Sequence, residues 1–84
     1  MKLCDRRLRH FPRHTLRIVA VGSFPSGAAG RLSAFGFFPG GKAVLLCFRG
    51  KGDVILLLHR NRIALGEAFT KEIEVTILEK SETL

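Results

Sequence analysis

The sequence predicts a small all-β barrel of about five strands with one short helix, and three observations carry that prediction. Apolar residues recur mainly with the period of strands, the runs have strand length, and glycine-bearing turn signals separate them. At 84 residues the chain makes one domain, with room for a modest core but not for a core beside a deep, lidded cleft. Hydrophobic residues form 46% of it, without Trp or Tyr, which places it among globular rather than disordered chains.

The elements follow in order. Residues 1–14 read as a basic N-terminal arm, residues 15–78 as the domain and residues 79–84 as a tail. Over 15–21, TLRIVAV is rich in β-branched residues and breaks at Gly22, which predicts the first strand. Over 26–35, Ala28, Leu32 and Phe35 fall at helical spacing, with Ser26 as N-cap and Gly36 just past the C-terminus. Gly27 and Gly30 each cost up to about 1 kcal/mol relative to Ala, so a short helix is expected only if it packs on the barrel. Leu32, Phe35 and Phe37 are expected to grip it there. FFPGG then has type II turn chemistry, Pro39 second and Gly40 third.

KAVLLCFR and DVILLLHR predict two neighbouring strands, each apolar on nearly both faces, as expected where the second face is also covered. HRNR supplies a tight turn with Asn61 in the left-handed conformation, and IAL a short segment after it. In the last strand Ile73, Val75 and Ile77 alternate with Glu72, Glu74 and Thr76, one face in the core and one in water. The tail EKSETL is expected to fray. Five short strands close best into a barrel that removes its edges.

Charge narrows the partners. Fourteen Lys and Arg against seven Asp and Glu give a net charge of +7, which favours nucleic acid, anionic lipid or an acidic protein face. Lys2, Arg6, Arg7, Arg9, Arg13 and Arg17 crowd the first segment, while the glutamates gather toward the other end. Two cysteines, Cys4 and Cys47, make no disulfide framework, and a reducing cytosol is the simpler setting. Arg13 and Arg17 interrupt what would be the apolar part of a secretory signal. The longest apolar runs fall far short of the roughly 20 residues a membrane helix needs, so a soluble, cytoplasmic protein is expected.

RLSAFGFFPGGKAVLLCF, followed by GDVILLLHRNRIAL and EIEV, resembles the ferrous iron transport protein A (FeoA) family, small SH3-like barrels of bacteria. The likeness covers roughly residues 27–75 through several spaced elements: Arg31-Leu32, Gly36, Pro39-Gly40, Gly52-Asp53, Ile63-Ala64-Leu65, Ile73 and Val75. The chain departs from the pattern at Val54, where the family often has Pro, at Thr70, usually Ala, and in its more basic N-terminus, where Pro12 stands near an expected glycine. The resemblance implies a non-enzymatic partner of the bacterial ferrous iron transporter that docks at its cytosolic GTP-binding domain and affects assembly or activity. The same module occurs as the C-terminal domain of metal-dependent repressors, but fourteen residues before the first strand cannot hold a helix-turn-helix.

No constellation in the sequence predicts catalysis, a cofactor or a metal. His10 and His14 are four apart, a metal-binding spacing on a helix, but Pro12 between them opposes a helix and the surrounding arginines oppose a cation. Cys47 and His59 read as ordinary barrel residues. GKGD is too short for a phosphate-binding loop, and no carboxylate pair flanks a plausible base.

The sequence therefore points to surfaces. Phe37 and Phe38 are adjacent, so one ring should point away from the core. Phe38, beside Arg31 and Lys42, reads either as a docking anchor, since aromatic and Arg residues dominate interface energies, or as a ring folded over the barrel end. Arg60 and Arg62 at the hairpin tip offer a second contact for an acidic partner. Three readings follow: an accessory subunit that binds the transporter's cytosolic domain, with self-association as a further option; a nucleic-acid-binding barrel using the N-terminal arginines and Phe11; and a basic arm that lies on anionic lipid as a peripheral membrane contact.

Overall fold

A computed structural model describes residues 1–24 and 28–82. Strands β1 (His14–Val21), β2 (Lys42–Arg49), β3 (Asp53–Leu58), β4 (Asn61–Leu65) and β5 (Ile73–Lys80) form one antiparallel sheet in the order β4-β3-β2-β1-β5. Helix α1 (Ala28–Ala34) is inserted between the first two strands, and a single helical turn, α2 (Glu67–Thr70), separates β4 from β5. A 3₁₀ turn spans Arg6–His10. This is a small all-β, barrel-like fold, as the sequence predicts. The predicted N-cap Ser26, Gly27 and the last two residues of the tail lie outside the described residues.

Alternation decides which side chains reach the core. Leu16 and Ile18 of β1, Ala43 and Leu45 of β2, Val54, Leu56 and Leu58 of β3, Leu65 of β4, and Ile73 and Val75 of β5 are all buried in one cluster. In β2 the pairing with β3 slips between Leu45 and Cys47. Leu46 is thus an extra, bulged residue, and Phe48 rather than Cys47 returns to the inner side opposite Val54. The unbroken run AVLLCF therefore does not mean two buried faces. Val44, Leu46, Cys47, Ile55 and Leu57 are only half-buried, which corrects the expectation of a covered second face.

The first fourteen residues are not a loose arm. Leu3 and Leu8 belong to the core at 1% and 0% exposure. Met1 and Leu3 bond to Val75 and Ile73 of β5 (Val75 N to Met1 O and Leu3 N to Ile73 O, both 2.8 Å), with a bridge between Lys2 and Glu74. The N-terminus thus covers the outer edge of β5, which a sheet of this order leaves open. Among the described residues no ladder joins β4 to β5, because α2 occupies the connection between them. Arg13, at φ 64°, donates to Leu45 O and accepts from Ser81 N, so β5 continues through Lys80 instead of fraying at residue 79. The β3–β4 hairpin pairs Leu58 with Asn61. Its two turn residues are therefore His59 and Arg60, and His59, not Asn61, takes the left-handed conformation at φ 55°.

Candidate docking surface

The stretch after α1 makes a built corner. Gly36 N donates to Ser33 O and Phe37 N to Leu32 O, the two bonds of a Schellman C-cap, with Gly36 at φ 96°. That motif brings together the side chains third from the helix end and second beyond it, here Leu32 and Phe37, and both are buried. Phe35 falls between them and is turned out at 48% exposure. Helical spacing placed Phe35 in the core; the chain leaves the helix one residue before it, and Phe37 fills that place instead. The predicted type II turn follows, closed by Gly41 N to Phe38 O at 2.9 Å with Gly40 at φ 90°.

Two contacts fix this corner on the sheet. Gly40 N donates to Ile18 O (2.7 Å) and Ile18 N to Gly41 O (2.8 Å), so the turn bearing Phe38 lies alongside β1 next to Val19. Gly36 presses so close to the β3–β4 turn that a Cβ there would sit 2.8 Å from His59 Nε2. Among the described residues, Val19, Phe35 and Phe38 are the large apolar side chains left most open, at 48%, 48% and 46%. All three come from these tied segments.

Of the predicted contact residues, Arg31, Phe38, Lys42 and Arg60 are exposed on the segments that form this corner. Arg62 is exposed as well but sits on β4 opposite Leu57, on the outer sheet face. Sequence reasoning missed Phe35 and Val19. The signal for Phe35 was Gly36 itself, since a C-capping glycine ends the helical periodicity before it. His59 also belongs to the corner through Gly36, a contact between distant segments that no local pattern carries.

The N-terminal side is organised differently. His14 Nδ1 lies 3.0 Å from Leu78 O and its ring meets Phe11 edge to face at 5.2 Å. The Arg9 guanidinium lies 5.9 Å from the centre of the Phe48 ring and donates to Gly50 O at 3.4 Å. Arg7 hydrogen-bonds Asp5 through side chain and backbone and holds its carboxyl down at about 2. The Glu74 carboxyl is lowered too, first by its hydrogen bond from the amino group of Met1. Among the described residues no group of three or more His, Cys, Asp or Glu is placed to hold a metal ion. No described helix is long and apolar enough to cross a membrane.

Fold and surface thus define a small all-β barrel-like domain whose tied corner segments carry exposed apolar and cationic side chains. No protein-family model matches the chain, and no curated protein matches it.

Proposed function

We propose that this chain is a non-enzymatic accessory protein of bacterial ferrous iron uptake, which docks in the cytoplasm on the GTP-binding domain of the ferrous iron transporter. The docking role rests on one observation: Val19, Phe35 and Phe38, each nearly half exposed, stand on segments tied into one corner, and the exposed Arg31, Lys42 and Arg60 stand on the same segments or beside them. Exposed aromatics beside arginine are the residues that anchor interfaces, and the segments that carry these three are tied together by the hydrogen bonds of Gly40 and Gly41 with Ile18 and by the close approach of Gly36 to His59. The identity of the partner rests on the resemblance of the RLSAFGFFPGG stretch and the strands after it.

Affinity purification of the tagged protein from gently solubilised cells, at physiological salt and with nuclease added, tests this reading. Recovery of a membrane GTP-binding transporter, and its loss with Phe38→Asp while the fold persists, is the expected outcome. Unchanged recovery with Phe38→Asp removes the corner from the reading.

A nucleic-acid-binding barrel is the second reading, favoured by the exposed Arg6, Arg9 and Arg13 of the N-terminal segment, of which Arg9 reaches the turn that carries Lys51. Such binding weakens steeply with salt through counterion release, whereas a mainly apolar docking contact does not. Retention that depends on nucleic acid and is lost on nuclease treatment moves the function to that surface.

A further inference from the structure

The outer face of β2, β3 and β4 is a second surface, which meets the corner at Lys42. Register sets its side chains in rows across the strands. Val44, Leu57 and Arg62 form one row, Cys47, Ile55 and Ala64 the next, and Arg49 with Asp53 the border beyond. Arg17 and Lys42 pair across the opposite border.

A sheet with one face in water normally alternates apolar inside with polar outside. Here the middle of the outer face is aliphatic on three adjacent strands. Strand propensity accounts for Val44 and Ile55 but not for Ala64, a residue depleted in strands, or for Leu57 and Cys47. A depression of about 280 Å³ opens among Cys47, Ile55 and Ala64, with Arg49 and Asp53 on its wall. Arg17, Lys42, Arg49 and Arg62 are exposed, and no ion pair among the described residues engages them. Asp53 is the only acid in these rows.

This chemistry selects among occupants. A second copy of the chain brings a net charge of +7 against a cationic rim, a like-charge encounter that costs affinity. Single-stranded nucleic acid binds by stacking bases on aromatic rings, and these rows contain none. An acidic segment with spaced apolar side chains satisfies both parts, carboxylates on the arginines and aliphatic or aromatic groups in the depression. We propose that the outer face of β2–β3–β4 binds such an acidic, apolar segment of a partner protein.

The test is selection from a displayed random peptide library, followed by measured binding of the selected peptides to the full chain. The expected peptides combine Asp or Glu with Leu, Ile or Phe. They lose about tenfold or more in affinity, some 1.4 kcal/mol, against Arg49→Glu/Arg62→Glu, a pair of exposed positions whose exchange leaves the core untouched. Leu57→Asp abolishes binding while amide shifts show the fold intact. Phe38→Asp changes nothing, which separates this face from the corner. No enrichment, enrichment of peptides without acids, or binding indifferent to Arg49→Glu/Arg62→Glu overturns the proposal. So does self-association of the wild type that Leu57→Asp abolishes, since it assigns the face to a second copy.

Discussion

The segment before β1 and the corner after α1 sit at the two ends of β3, one against the Gly50–Gly52 turn and the other against His59. Their sequences suggest opposite characters from those they have. The first is crowded with cations yet sends Leu3 and Leu8 into the core, while the second is rich in Phe yet leaves Phe35 and Phe38 outside. Local composition reports what a segment is made of. Which few side chains are buried depends on where the backbone is pinned.

The largest expected effect tests that contrast directly. Leu8 is fully buried, so Leu8→Ala should cost about 2–5 kcal/mol, a cavity and a lost transfer term together. Phe35→Ser at the corner should cost only about 1 kcal/mol, since nearly half of that ring is already in water. Chemical denaturation of both variants reads the difference. A Leu8→Ala chain as stable as wild type would return the first fourteen residues to the status of an arm. The same burial bears on the lipid-contact reading: removing residues 1–13 takes two core leucines away and would unfold the barrel, so that reading needs charge reversal at Arg6, Arg9 and Arg13 instead.

Two glycines sharpen the comparison at smaller cost. Gly52 has φ 133°, and a Cβ there would lie 2.7 Å from Cys4 Cβ and 3.0 Å from Thr70 Oγ1, the hydroxyl that donates to Gly52 O. Ala at 52 meets both left-handed strain and close contact with the half-buried Cys4 and the buried Thr70, so Gly52→Ala should cost about 2–4 kcal/mol. Gly36 carries comparable strain, but its nearest neighbour is the tip of the exposed His59 ring, which can swing away. Gly36→Ala should cost only about 1–2 kcal/mol. Equal losses on thermal unfolding would mean that Cys4 is not held against the Gly52 turn.

Much of this architecture is legible in the sequence, for identifiable reasons. KAVLLCFR marks β2 to the residue, because a lysine, an arginine and turn glycines bound a run of apolar residues. Gly36 and Pro39-Gly40 mark the end of α1 and the turn after it, since each is required by its backbone geometry. Leu3 and Leu8 were not legible, being two isolated apolar residues without a period, set among cations. The four residues of α2 are too few to show a helical stripe. Leu46 hides its bulge inside a continuous apolar run, where no polar residue marks the change of face. The outer aliphatic face was misread for the same reason: a run apolar at every position cannot say which face is covered.

The smallest effect is electrostatic and touches only the N-terminal side. Asp5 caps the Arg6–His10 turn by accepting from Arg7 N at 2.9 Å and from Arg7 Nη2 at 2.7 Å. These bonds hold its carboxyl at about 2, below the roughly 3.9 of an unfolded aspartate. Since the folded value is the lower one, the stabilisation is complete above about pH 4 and is lost as pH falls through about 2. Asp5→Asn keeps an accepting cap and removes this titration, so the stability gap between wild type and Asp5→Asn should narrow steadily over that window. Arg7→Ala should bring the Asp5 titration, followed by NMR, back toward the unfolded value. An Asp5 that titrates normally in the wild type would mean that the turn carrying Leu8 is not capped, and the contrast between the two ends of β3 would lose its electrostatic part while the buried leucines kept the rest.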